Sequence, residues 1–353
     1  MRLSYDFLSE PKFSEDIYGA LDKFNVRDPP VKLHGVCYEN GKFRRMPETV
    51  ANSVSRGVGV WHSAPTGGRI RFRTDSERVA LFVDEKPFWV KSECFFASAG
   101  YEIVADGKYA ATVYPTSEAD EKFCGNAKFD SKKMRDVTIY MPLHSVDVRS
   151  VYIGLSKGSR LEPPKDYKIG KPIVYYGSSI TQGNCASKPS THYEAFIERW
   201  LNADYIDLGF AGNAKGEQNM IDYVASLSMS AFVLDYDYNA DSVERLKSTH
   251  LNCYLTVRNA HPDIPIVMIS MPVTRKTEQS KARFNVIKET YDYALAHGDK
   301  KVALIDGRTL LGGADAEWCL VDGCHPTDLG FYRMAKRIYR ELKKFEELNA
   351  CGW

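Results

Sequence analysis

Ile173-Val174-Tyr175-Tyr176-Gly177-Ser178-Ser179-Ile180-Thr181-Gln182-Gly183 decides the fold. An apolar run of strand length enters a glycine-bounded turn rich in hydroxyl groups. The same texture recurs downstream. Further strand runs are DYIDLG (Asp204 to Gly209), AFVLD (Ala231 to Asp235), IVMIS (Ile266 to Ser270) and VALID (Val302 to Asp306). Helical periodicity fills the gaps. In FNVIKETYDYALAH, the residues Phe284, Ile287, Tyr291, Ala294 and Leu295 share one face. In the last helix Phe331, Met334, Ala335, Ile338, Tyr339 and Leu342 do the same. Alternation of this kind implies a five-stranded parallel sheet covered by helices on both faces, a three-layer αβα domain. Ligands of such folds sit beyond the carboxyl ends of the strands.

Upstream the texture differs. RIRFR (Arg69 to Arg73) alternates polar and apolar residues, as a half-buried strand does. VGVWH (Val58 to His62), RVALFVD (Arg78 to Asp84), VTIYM (Val137 to Met141) and VRSVYI (Val148 to Ile153) are short and β-rich, and read as strands too. Asp106-Gly107 and Asn40-Gly41 suit two-residue hairpin turns, whose central positions both need positive φ. The first half is therefore expected to be an antiparallel β-sandwich, jelly-roll-like in character. The stretch Leu161-Glu162-Pro163-Pro164-Lys165 reads as a linker. It divides a sandwich over 1–165 from an α/β domain over 166–353.

Composition narrows the function. The chain has 353 residues, enough for two domains with cores of their own. Forty-seven basic and 46 acidic residues leave a net charge of +1, without the basic excess of an electrostatic nucleic-acid binder. No apolar run is long enough to span a membrane. The eight cysteines are scattered with no CxxC pair, which reads as free thiols in a reducing compartment. The N-terminal MRLSYDFLSEPKF lacks the apolar stretch of a leader, so the expectation is cytoplasmic. A homo-oligomer is compatible with this composition.

The strand ends carry the chemistry. Ser179 follows the first strand in a glycine-serine turn, where a serine can present both Oγ and its own N–H to a carbonyl. The second strand ends at GFAGN (Gly209 to Asn213), where a glycine can leave an N–H free. The third ends at DYDYNA (Asp235 to Ala240), and Asn239 offers two uncharged donors to an oxyanion. After the fifth comes VDGCHPTDLGF (Val321 to Phe331). Asp322 lies three residues before His325, so its carboxylate can reach Nδ1 and leave Nε2 to act as base. Each feature also has a plain structural reading. These are a glycine-serine loop, a glycine-bearing connection, a helix cap by Asn239, and turn chemistry with Thr327 or Asp328 as N-cap. Four such signals at successive strand ends reinforce one another.

In this order, GSSITQG, GFAGN, DYDYNA and DGCHP resemble the SGNH hydrolases, also called GDSL-type esterases. The resemblance covers roughly Pro172 to Leu348, and its texture is that of a bacterial branch with an N-terminal β-sandwich. It implies Ser179 as nucleophile, with Asp322 and His325 completing a catalytic triad. It also implies an oxyanion hole made by the N–H groups of Ser179 and Gly212 and the side chain of Asn239. No cofactor and no metal are called for. There are two departures. Ser178 stands where the family's name motif has Asp, and the usual G-x-N-D around the oxyanion asparagine is replaced by DYDYNA.

Other residues compete for roles. Ser178 and Thr181 are neighbouring hydroxyls. Cys319, Cys324 and His325 lack the spacing of a zinc site. Cys185 and Cys324 read as bystanders, and Trp61, Phe88 and Trp89 as core residues more readily than as sugar platforms. The expected function is a serine esterase for short-chain, acetyl esters, with an O-acetylated carbohydrate as substrate through the resemblance. The alternatives are an intracellular lipid or thioester acylhydrolase, and a non-catalytic carbohydrate-binding protein.

Overall fold

The structure is a computed structural model, and it describes residues 21–90 and 92–349. The N-terminal segment read above for a leader lies outside the described residues. In chain order the first half forms β1 (Leu21–Asn25), β2 (Lys32–His34), β3 (Cys37–Glu39), β4 (Lys42–Arg44), α1 (Glu48–Val54), α2 (Arg56–Trp61), β5 (Arg69–Thr74), β6 (Arg78–Lys86), α3 (Phe95–Ala99), β7 (Tyr101–Ala105), β8 (Lys108–Val113), β9 (Lys122–Lys128), β10 (Arg135–Tyr140), β11 (Val146–Ser156) and β12 (Leu161–Glu162). Two large antiparallel sheets result, ordered β1-β11-β6-β9 and β12-β5-β10-β7-β8, with β2 added on β5, while β3 and β4 pair as a separate two-stranded sheet. Their inward positions, among them Ile70, Phe72, Leu81, Val83, Ile103, Ile139, Val151 and Ile153, form one buried core. Period-two alternation puts them there, as RIRFR implied. The β7–β8 hairpin turns on Asp106 and Gly107, with φ of 49° and 73°, the left-handed pair a type I′ turn demands.

Two details correct the sequence reading. Val58 to Trp61 belongs to helix α2, not to a strand. Ser55 caps the helix by accepting the Val58 N–H, and Val58 is buried while Val60 stands 53% exposed. Helical burial against the second half outweighs the β propensity of the two valines. Leu161-Glu162, read as linker, pairs with β5 as β12.

The second half alternates strand and helix: β13 (Ile169–Gly177), α4 (Tyr193–Leu201), β14 (Ala203–Gly209), α5 (Gln218–Ser226), β15 (Ala231–Asp235), α6 (Val243–Ala260), β16 (Ile266–Ile269), α7 (Glu278–Ala296), β17 (Val302–Ile305), α8 (Asp328–Leu342) and α9 (Glu346–Asn349). The five strands pair in parallel in the order β14-β13-β15-β16-β17. The chain moves from β13 to β14 on one side and then crosses to β15 on the other. The carboxyl end of β13 is therefore the switch point at which a doubly wound sheet opens a crevice. Helices cover both faces, and a core lies on each side. Met46, Ala51 and Val58 of the first half join the core under β13 and β15.

Candidate active site

Gly177 ends β13, and Ser179 sits in the turn beyond it. A Cβ on Gly177 would lie 1.9 Å from Thr181 Oγ1, so only glycine allows the loop to fold back so sharply. The turn is held by its own bonds: Gln182 N–H donates to Ser178 O (3.0 Å) and Asn184 N–H to Ser179 O (3.0 Å). Ser178 Oγ accepts the Ile180 N–H at 3.1 Å, so the residue that departs from the name motif is a turn-former. Across the crevice, Gly209 brings the end of β14 against this loop. A Cβ there would fall 2.2 Å from Gln182 N.

Ser179 Oγ lies 2.9 Å from His325 Nε2, and His325 Nδ1 lies 2.7 Å from Asp322 Oδ2. Asp322 Oδ1 accepts the N–H groups of Cys324 (3.0 Å) and His325 (2.8 Å). Partial burial opposes ionisation of this carboxyl. The two N–H donors and the imidazole outweigh it and hold the group down to about 2. A fixed carboxylate on Nδ1 keeps the proton there and leaves the Nε2 lone pair for the serine hydroxyl. The loop itself is pinned by Val321 N–H to His325 O (2.8 Å) and Thr327 N–H to Cys319 O (2.8 Å).

The donor groups expected from the sequence lie on the neighbouring turns. Among the described residues, the N–H groups of Ser179 and Gly212 have no protein acceptor. Gly212 has φ of 71°, the left-handed region that favours glycine. Asn239 lies in a short 3₁₀ turn and does not cap α6, since Ser242 does that. Its Oδ1 accepts the Ala214 N–H at 3.3 Å, which turns Nδ2 the other way and free of a protein partner. Hydrogen bonds join Ser179, His325 and Asp322 directly, while Asn239 bonds the turn that carries Gly212, which in turn hangs on the nucleophile loop through Phe210 N–H and Ala211 N–H.

Two family models match the chain. The GDSL-like lipase/acylhydrolase family matches residues 170–343, and the N-terminus of SGNH-hydro-type esterases matches residues 22–161. The chain belongs to the SGNH (GDSL-type) hydrolases. A crystal structure of a GDSL-like lipase from Bacteroides ovatus superposes on this hydrolase with a TM-score of 0.81 at 25% identity, over 92% of this chain and 97% of that one. The salicylyl-acyltransferase SsfX3 of a tetracycline biosynthetic pathway gives 0.76 at 21%, over 92% and 97%. An acetyl xylan esterase from the rumen bacterium Butyrivibrio proteoclasticus gives 0.60 at 13%, over 92% and 98%. No curated protein matches the chain.

The hydrolase site is not built from the SGNH domain alone. Glu93, from the segment between β6 and α3, accepts the N–H of Cys185 with one carboxylate oxygen and bonds the Asn184 amide. Burial pushes its carboxyl up, against the pull of those donors and of His325. His144, between β10 and β11, meets Asn184 Oδ1 through Nε2 at 3.0 Å, and burial lowers it to about 4, so it is a neutral imidazole. Trp61 packs edge-on against His144 and Phe88, each 5.9 Å away. Phe88 and Trp89 are 37% and 43% exposed, so neither is core. Spacing along the sequence gave no signal for Glu93 or His144, which come from another sheet system and carry no motif.

The competing residues find bland places. Thr181 Oγ1 is shared between Asp235 (3.4 Å) and the Tyr193 hydroxyl (3.1 Å) beneath the loop. Cys319 Sγ lies against the carbonyls of Leu311 and Asp315, away from His325. Burial pushes the thiols of Cys185 and Cys324 up to about 12 and 11, so both remain protonated and unreactive at neutral pH. Among the described residues, His192, Glu194 and Asp207 are the group with metal-ligand composition. They lie buried under the sheet end, with His192 Nδ1 on Glu194 (2.8 Å) and Nε2 on the Tyr205 hydroxyl (3.2 Å).

Proposed function

We propose that this SGNH hydrolase is a serine esterase working through an acyl-enzyme on Ser179, with an O-acetylated carbohydrate as substrate. The Ser179–His325–Asp322 chain of hydrogen bonds carries the reading. His325 Nε2 takes the Oγ proton as Oγ attacks the ester carbonyl carbon. The carbonyl electron pair moves onto oxygen, which receives the Ser179 and Gly212 N–H groups and Asn239 Nδ2. Collapse of the tetrahedral intermediate breaks the C–O bond, and His325 returns the proton to the leaving alkoxide. Water then attacks the acyl-enzyme with the same histidine as base, releasing acid and restoring the serine.

The sugar part has separate support. Carbohydrate esterases from Clostridium thermocellum and an acetyl xylan esterase share the two-part fold. Exposed Phe88 and Trp89 stand on the segment that carries Glu93 to the nucleophile loop, and such rings stack on sugar faces. The decisive experiment is acetate release from a panel of acetylated mono- and oligosaccharides, run beside acetyl, butyryl and octanoyl nitrophenyl esters. Acetyl sugars are expected to be the better substrates. A preference for octanoyl esters with no acetate release would replace the sugar reading by an acylhydrolase one. Sugar binding without any ester hydrolysis would remove the enzyme reading altogether.

A further inference from the structure

Gly212 presents its N–H from the turn 209–214, and that turn has little to hold it from within. Phe210 N–H donates to Gly177 O (2.9 Å) and Asn213 N–H to Phe210 O (2.8 Å). Ala211 N–H donates to Gln182 Oε1 (2.9 Å), and Asn213 Nδ2 to Ala211 O (2.5 Å). Gly209 N–H donates to Asp207 Oδ1 (2.8 Å) and Ala214 N–H to Asn239 Oδ1 (3.3 Å), and further supports come from the first half of the chain. Arg45, just after β4, is buried, and its guanidinium reaches across to the turn. Nη1 donates to Gly209 O (2.5 Å) and lies 3.7 Å from Asp207, while Nη2 donates to Trp61 O (2.6 Å) at the end of α2. The same group sits 4.7 Å over the Phe210 ring. Helix α2 meets the turn at a second point. A Cβ on Gly57 would fall 1.7 Å from Asn213 Oδ1 and 2.1 Å from its Cγ. Burial pulls the guanidinium down to about 10 against the Asp207 charge, so Arg45 remains a cation at neutral pH.

A planar fork that grips a backbone carbonyl, a ring face and a second helix end at once fixes orientation as well as position. The grip closes on Gly209 and Phe210, three and two residues before the donor Gly212. We propose that Arg45, seconded by the close approach at Gly57, is a positioning residue for ester hydrolysis. It holds the Gly209–Asn213 turn so that the Gly212 N–H faces the oxygen of the tetrahedral intermediate. Arg45 touches no reacting atom in this role. The inference rests on the esterase reading of the site and makes the first half of the chain part of the oxyanion machinery.

The test uses the full chain and three variants: Arg45→Met, Arg45→Lys and Gly57→Ala. Four quantities are read for each: kcat and KM on an acetyl nitrophenyl ester, the rate of labelling by a nitrophenyl phosphonate, and the melting temperature. The phosphonate's tetrahedral oxygen needs the same donors as the intermediate. Arg45→Met is expected to lower kcat by about 10²-fold, the cost of misplacing such a group by about an ångström, with KM within about twofold. Phosphonate labelling should fall in the same proportion. Arg45→Lys should recover part of both rates, because one ammonium reaches one of the two carbonyls. Gly57→Ala must turn the Asn213 amide off Ala211 O, and should show a smaller loss of the same kind. Wild-type kcat and labelling rates per folded molecule in Arg45→Met and Gly57→Ala, whatever their melting temperatures, would overturn the inference. Should Arg45→Met not fold, Gly57→Ala and Arg45→Lys decide it by the same criterion. A wild-type protein that neither hydrolyses the ester nor takes the phosphonate on Ser179 would overturn the esterase reading first, and the inference with it.

Discussion

Ser179 and His325 share one hydrogen bond from loops built on opposite plans. The nucleophile loop is enclosed. Ser179 itself is 7% exposed, and Glu93, His144 and the end of β14 press on the loop from outside. The base loop is open. The side chains of His325 and Asp322 are 23% and 42% exposed, and their bonds are nearly all local, within 319–327. A nucleophile has to be aimed at a carbon held by the rest of the cleft, so its position depends on distant parts. The base needs only an orienting carboxylate, and a short turn with Asp three residues ahead supplies one. Damage to the open loop should therefore alter proton handling, while damage around the closed loop should alter geometry and stability together.

The largest effect belongs to the closed loop's single reacting atom. Ser179→Ala should lose about 10⁵–10⁶-fold in kcat, since the remaining parts of such a triad do little without the nucleophile. Its unfolding free energy should stay within about 1 kcal/mol of wild type, because the change removes one small hydroxyl. Turnover at wild-type rate, measured with acetyl nitrophenyl ester, would move the nucleophile elsewhere.

On the open loop, Asp322→Asn keeps an acceptor for the Cys324 and His325 N–H groups but presents the wrong partner to Nδ1. About 10⁴-fold in kcat should be lost through the wrong tautomer, with the fold intact. Proton counting sharpens the contrast. Asp322 is held down to about 2, so it stays ionised through the working range. Protonation of Asp322 should therefore leave no step in kcat/KM between about pH 4 and pH 8. A step in that range that Asp322→Asn abolishes would show the carboxyl titrating higher than its bonds imply.

The proposed oxyanion donors come next. Asn239→Ala should cost about 10²–10³-fold in kcat with little change in KM, as loss of one donor does. An unchanged kcat would return Asn239 to holding the Ala214 N–H and nothing more.

The same contrast explains what the sequence could disclose. Asp322 and His325 were legible because their relation is local: three residues, one turn. The strands and their order of alternation were legible because burial on both faces forces unbroken apolar runs such as AFVLD and IVMIS. Helix α2 was not, since two valines in Val58 to His62 look like a strand until a neighbouring core selects Val58 and leaves Val60 out. Arg45, Glu93 and His144 were invisible for a deeper reason. Each acts on a loop 40 to 164 positions away, and no local period encodes that distance. The glycines at 57, 177 and 209 were visible as letters, but their meaning needed the atoms that fill the missing Cβ.

The smallest effect is also the one most specific to the enclosure. Two carboxyls feel the charge of His325: Asp322, bonded to its Nδ1 on the open side, and Glu93, on the closed side. Their shifts have opposite sign. Asp322 is depressed, so it stabilises the fold at all pH above its unfolded value and gives this up only as pH falls toward 2. Glu93 is raised by burial, so the folded state holds a proton that the unfolded chain has already released. Across the window that opens near the ordinary glutamate value of about 4.3 and closes at the raised folded value, the native state binds more protons than the unfolded one. Stability from this group is then fully present on the acid side and lost as pH rises. Glu93→Gln is uncharged throughout and lacks that loss. Its melting temperature relative to wild type should therefore rise as pH climbs above the ordinary glutamate value of about 4.3, even though its amide is a poorer acceptor for the Cys185 N–H. A difference that stays flat across that range would mean Glu93 titrates like a solvent-exposed carboxylate, and the nucleophile loop would be no more enclosed than the loop that carries His325.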